Sequence, residues 1–207
     1  ARLFSEEGRF SEIKFNFQEG FGEKLPFAKN SFDVVYSFDV IEHVPSVAKV
    51  LDECKRVVKP GGIIINIFPS YYMPTQSHLG FATKMPFTQW FFSSKVIQKA
   101  YDEIMTQRSS NNYWYHGHKT EEEKNADWQA YNAGIGVNGT TFKKYEKILS
   151  TKNFRKTSLS SPPLGSCGYS SYKNSKIKWF SSFLRPFLKV KMLQDFLGQR
   201  IVSIIVK

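Results

Sequence analysis

The stretch Phe32–Val44, FDVVYSFDVIEHV, decides the reading of this chain. Its first half, Phe32 to Phe38, is rich in β-branched and aromatic residues and reads as a strand. Its second half carries Asp39, Glu42 and His43 within five residues, a density of polar groups that no apolar strand needs. A strand that empties into carboxylates and an imidazole suggests a sheet with a site at its carboxyl edge.

Working outward, SVAKVLDECKRVV follows. Val47, Val50, Leu51, Cys54 and Val57 fall on one helical face. Ser46 is placed to cap the start. Lys55, Arg56 and Lys59 suit the negative end of the helix dipole. KPGG (59–62) is expected to end the helix in a turn, and IIINIF (63–68) reads as a strand covered on both faces. Strand, helix, turn and strand make a right-handed βαβ unit with a parallel pair. Upstream, IKFNF (13–17) alternates like a strand, though a frayed or abnormally paired one for want of neighbours. Downstream, TTFKKYEKILSTKNF (140–154) is an amphipathic helix capped by Thr140 or Thr141, 155–159 is a short strand, and 200–206 is a terminal strand.

The 207 residues suffice for one domain, taken as 1–207. Two regions interrupt it. Residues 69–139 form an aromatic lid and insertion, in which Tyr71 and Tyr72 are read as lid and Trp90, Phe91 and Phe92 as core. Residues 160–199 form a basic amphipathic insertion before the last strand. The charge is uneven: residues 140–207 hold 14 of the 29 Lys and Arg but only 2 of the 18 acids. That bias points to a polyanionic neighbour, and the mixture of Lys with Trp and Phe over 173–191 suits an anionic membrane surface. Nucleic acid is not expected, because no RNA-binding motif is present. Two distant cysteines make neither a disulfide framework nor a metal site and suit a reducing compartment. With no membrane-length apolar run, the location expected is cytoplasmic, with peripheral membrane association.

In GEKLPFAKNSFDVVYSFDVIEHVPSVAKVLDECKRVVKPGG the order and spacing of motifs resemble the central block of class I S-adenosylmethionine-dependent methyltransferases, of the type 11 kind. The resemblance covers Gly20 to Phe68. It implies an α/β, Rossmann-like sheet, mostly parallel with an antiparallel C-terminal strand and helical insertions. It implies S-adenosylmethionine as cofactor, with Phe21, Gly22 and Glu23 beside the adenine and Ser37, Phe38 and Asp39 along the methionine end. Many relatives carry Asp where Phe21 stands, so adenine would rest here on backbone amides and a ring face. His43 matches a position that faces the acceptor, and His78 is a second candidate base. The family's glycine-rich cofactor loop has no counterpart before Ile13. The chain is therefore expected to be N-terminally truncated and weak in cofactor binding as it stands.

Asp39, Glu42 and His43 are also spaced to approach a divalent ion. A fourth ligand is not evident, and acids at a helix start are favoured by the dipole alone, so no metal ligand is assigned. The function expected is transfer of a methyl group to a small-molecule, glycan-linked or lipid-linked acceptor. The alternative is a non-catalytic remnant that binds or scaffolds a partner. A nicotinamide-dependent dehydrogenase on a similar sheet is a third, disfavoured reading.

Overall fold

The computed structural model describes residues 15–73, 85–93, 95–97, 99–100, 103–104, 137–163, 179 and 182–207. Its elements in chain order are β1 (Phe32–Phe38), α1 (Val47–Val57), β2 (Val58–Phe68), the one-turn α2 (Thr88–Phe91), α3 (Phe142–Ser150), β3 (Lys156–Ser160), a 3₁₀ turn (Phe187–Lys189), α4 (Lys191–Leu197) and β4 (Ile201–Val206). The four strands form one sheet in the order β1-β2-β4-β3. β1 and β2 are parallel, and β4 is antiparallel to both β2 and β3. Three strands thus run one way and the terminal strand runs back between two of them. This is the α/β arrangement expected from the sequence.

The helix caps fall where the sequence places them. Ser46 accepts a bond from the Lys49 amide at 3.4 Å, and Thr141 accepts one from the Lys144 amide at 3.2 Å. Asp195 adds a second carboxylate cap from α4. It accepts from the Phe142 amide and, through Ser70 Oγ at 2.7 Å, also holds the end of β2. A carboxylate at a helix N-terminus satisfies orphan amides and opposes the positive dipole end, so its burial carries its own compensation.

One face of the sheet is covered by α1 and α3. Val47, Val50, Leu51 and Cys54 from α1 meet Phe142, Tyr145 and Leu149 from α3 over Val58, Ile64, Phe68, Ile201 and Ile205. Burying a side chain of this size stabilises by about 1.5–3 kcal/mol, so these contacts supply the main cohesion of the domain. A polar thread crosses the same core. Ser37 Oγ donates to Asn66 Oδ1 at 2.7 Å, and Asn66 Nδ2 donates to the Tyr145 hydroxyl at 2.8 Å. That hydroxyl lies 2.9 Å from Ser203 Oγ. The thread runs through β1, β2, α3 and β4 and holds them in register.

Three expectations are corrected. First, β2 begins at Val58, not after a glycine turn, because Val58 pairs with Phe32 and the KPGG residues enter the strand through an irregularity opposite Phe32–Val34. Gly61 absorbs it at φ +78°, a conformation that favours glycine. Second, the sheet is covered on one face only among the described residues. Val34, Tyr36, Phe38, Ile63 and Ile204 share the other face and are exposed. Third, Trp90, Phe91 and Phe92 are not core; Phe91 is 71% exposed, because α2 is a single turn that presents only Gln89 inward. Of the expected strand at 13–17, the described residues 15–17 are not in a strand.

Candidate active site

β1 and β2 are parallel, so their carboxyl ends lie on one edge of the sheet. β4 is antiparallel, so its amino end joins them there. This juxtaposition brings Arg200, just before β4, to Asp39, just after β1. The guanidinium binds both carboxylate oxygens, with Nη2 3.1 Å from Oδ2, and sits 4.5 Å from the centre of the Phe38 ring. Asp39 itself adopts φ +52°, while its amide still donates to Ile67 O at 2.9 Å. The chain leaves the sheet there in a left-handed conformation that aspartate tolerates better than bulkier residues.

The turn that follows is locked from a distance. Asn138 Nδ2 donates to the carbonyls of Ile41 at 2.7 Å and Val44 at 2.8 Å, and its own amide donates to Glu42 O at 2.7 Å. Inside this clamp the Glu42 side chain is buried, and neither carboxylate oxygen has a hydrogen-bond partner. His43 Nε2 lies 3.7 Å from Glu42 Oε1, too far for a hydrogen bond but close enough for charge attraction. Burial pushes the Glu42 carboxyl up to about 7, and the charge of Asp39 adds to the rise, while the residue's own backbone and Arg200 oppose it. His43 is half-exposed in front of this buried acid. The pair therefore sets a buried carboxyl behind a half-exposed imidazole.

The turn at 20–24 lies against the start of α1. Glu23 Oε1 accepts the Ser46 amide at 3.0 Å. A side chain at Gly22 would press on Val50 Cγ2, 3.2 Å from its first carbon, so the turn packs closely on α1. Phe21 is exposed. Arg56 ties the loop down through Phe27 O at 2.7 Å and Leu25 O at 2.9 Å.

The expected site residues therefore divide. Phe38, Asp39 and His43 gather at the carboxyl end of β1, each at least partly exposed. Ser37 and Glu23 spend their polar atoms on Asn66 and Ser46, which makes them framework in this structure. Phe21 and Gly22 form the neighbouring turn, and His78 lies outside the described residues. Sequence reading missed Arg200, Asn138, Asn66 and Tyr145 as parts of this site. At the end of β2, Tyr72 stacks on Phe196 at 5.5 Å, and Trp90 meets the same ring edge-on at 4.9 Å. Among the described residues no group of three His, Cys, Asp or Glu side chains is arranged to hold a metal ion.

Comparison with known proteins gives a consistent match to one kind of domain. Residues 2–66 match a family model described as a methyltransferase domain. A sterol 24-C-methyltransferase of Gibberella zeae is 43% identical over 63 residues, covering 30% of this chain and 16% of that protein. An uncharacterized methyltransferase of Mycolicibacterium paratuberculosis is 29% identical over 124 residues, 60% of this chain and 45% of that protein. The chain thus spans less than half the length of these relatives. Among solved structures, a SAM-dependent methyltransferase from Thermotoga maritima aligns at 13% identity with a TM-score of 0.43, over 91% of this chain and 62% of that one.

Proposed function

We propose that the protein is an S-adenosylmethionine-dependent methyltransferase that transfers a methyl group to a small-molecule, glycan-linked or lipid-linked acceptor, a reading supported by the match of residues 2–66 to a methyltransferase domain. The observation that carries the proposal is this match, which contains every candidate cofactor residue and ends inside β2. The similarity to proteins named as sterol methyltransferases favours a lipid acceptor within that range.

The chemistry of the donor set fits the cofactor. Adenine needs a ring face, and Phe21 offers an exposed one; the ribose hydroxyls and the methionine ammonium need acceptors, and Asp39 offers a half-exposed carboxylate. Phe21, Phe38 and Asp39 would hold it, with Gly22, Glu23 and Ser37 shaping the two turns. When bound, S-adenosylmethionine supplies a methyl group already activated by its sulfonium. The protein's task is then to position and desolvate the acceptor. Arg200 fixes the Asp39 carboxylate from the side, so its oxygens need not reorganise on binding. His43, half-exposed in front of Glu42, is the side chain proposed to face the acceptor as base. An acceptor hydroxyl or amine would lose its proton there. An anionic membrane surface is the partner proposed for 173–191.

Calorimetry with S-adenosylhomocysteine tests the reading. Asp39→Ala and Phe38→Ala should each weaken binding about tenfold or more, roughly 1.4 kcal/mol. Circular dichroism checks that the fold persists. Absence of binding, or binding indifferent to both changes, refutes it.

A further inference from the structure

The segment between Trp179 and Val190 has two faces. Leu184 and Leu188 are buried against the domain, and Gln194 Nε2 holds the Leu188 carbonyl at 2.8 Å. On the outer side, Trp179, Phe183, Phe187 and Val190 are 70%, 53%, 42% and 52% exposed. The rings touch in series, 6.0 Å between the centres of Trp179 and Phe183 and 5.5 Å between Phe183 and Phe187. Scattered single apolar residues on a surface need no explanation, but a continuous aromatic ridge does. Arg185 and Lys189, both exposed, flank it.

We infer that this ridge is a membrane-docking element that inserts Trp179, Phe183, Phe187 and Val190 into the interface of an anionic bilayer, with Arg185 and Lys189 at the lipid phosphates. The occupant follows from charge. Residues 140–207 hold 14 Lys and Arg against 2 acids, so the ridge stands on the basic third of the chain. A second copy laid on the same ridge would oppose cation to cation around its rim. An anionic lipid surface meets both the rings and the cations. Tryptophan and its neighbours suit the boundary layer, where a ring can be buried while its polar atom stays wet. The inference builds on the membrane partner named above, but it is read by binding alone, so a failure of methyl transfer leaves it standing and the reverse also holds.

The test is flotation of the full chain with vesicles of phosphatidylcholine alone and of phosphatidylcholine with phosphatidylserine. Binding should be markedly stronger on the anionic vesicles. Arg185→Gln with Lys189→Gln should reduce it, each charge being worth about fivefold near such a surface. Raised salt should weaken but not abolish it, because charge is screened within about 8 Å at physiological ionic strength and the apolar contact is not. Phe183→Ser with Phe187→Ser should remove the salt-resistant part. Tryptophan emission should shift to the blue on binding, and Trp179→Phe should lose that shift while still binding. All five positions are exposed, so the variants should fold, as circular dichroism would verify. Equal binding to both vesicle types, or retention of binding in both double variants, overturns the inference. So does a concentration-dependent dimer that the Phe183→Ser, Phe187→Ser variant dissolves, since the ridge would then be covered by a second copy.

Discussion

Replacing Glu42 by Gln should remove the pH dependence that this residue imposes on stability. The carboxyl is buried, has no hydrogen bond to either oxygen, and is pushed from 4.5 to about 7. The folded state therefore holds this proton more tightly than the unfolded chain does. Its contribution is fully present below about pH 4.5 and is lost as pH rises through about 7. At about 1.4 kcal/mol for each pH unit, the loss amounts to about 3 kcal/mol between those limits. Glutamine has nearly the same volume and no charge to desolvate. It leaves an unpartnered amide, which costs about 1–3 kcal/mol at every pH. The stability difference between variant and wild type should thus move by about 3 kcal/mol in favour of the variant from pH 4.5 to pH 8, whatever the constant cost.

Urea unfolding at a series of pH values, on both proteins in the same buffers, measures that difference. Groups common to both cancel, including Glu53, whose carboxyl is held down at about 2 chiefly by its Arg56 bond and changes stability in the opposite sense. The charges that face Glu42 are Asp39, Arg200 and His43. Repeating the pair in a His43→Asn background isolates the imidazole's share. Two curves that stay parallel across the range would show that the Glu42 carboxyl is solvated or paired, and the inner-acid role behind His43 would fall with it.

Two further perturbations probe the framework beneath the site. Tyr145→Phe deprives Asn66 Nδ2 and Ser203 Oγ of a partner within the core and should cost about 1–3 kcal/mol by urea unfolding; a loss under about 0.5 kcal/mol would mean that the polar thread is dispensable. Gly62→Ala would set a carbon 2.7 Å from the Asp33 carbonyl, forcing β1 from β2, and should cost about 1–3 kcal/mol as an overpacked site, more than Gly61→Ala, where space is open and only the positive φ penalises the change. The opposite ranking in thermal unfolding would show that the β1–β2 irregularity is placed differently.

Much of the fold was legible because its signals are local. The apolar run of β1, the stripe of α1 and the capping side chains of Ser46 and Thr141 lie within a few residues of what they determine. The start of β2 was hidden by its glycines, which read as a stop but serve here to carry an irregular strand past Phe32. Trp90–Phe92 were misplaced because hydrophobicity alone does not say whether a ring faces a core or the outside of a one-turn helix. In the site, Phe38, Asp39 and His43 could be found from one stretch of sequence. Arg200 could not, being 161 residues from the carboxylate it binds. Nor could Asn138, whose three bonds close the 41–44 turn across nearly a hundred residues. Such partners are selected by the antiparallel return of β4 and the docking of the segment before α3, and they leave no periodic trace.

The distribution of cost across the sheet argues for the site without reference to any relative. At the carboxyl end of β1, Asp39 holds a positive φ, Glu42 keeps a buried carboxyl with no hydrogen bond, and Arg200 is drawn over the Phe38 ring. At the opposite end, Lys59 and Asp33 form an ordinary exposed pair and Lys207 bonds the Val58 carbonyl at 2.7 Å. A core chosen for stability alone would replace Glu42 with an apolar residue of similar size, since removing a lone buried charge is favourable. Such a replacement would also remove the only carboxyl that lies behind His43 among the described residues. Unfavourable groups gathered at one strand end, and held there by long-range bonds from Asn138 and Arg200, are what a sheet retains when that end has chemistry to perform. An apolar substitute such as Glu42→Met should accordingly raise stability at pH 8 while diminishing methyl transfer, and a variant that gained stability with transfer intact would assign this buried acid to history rather than to function.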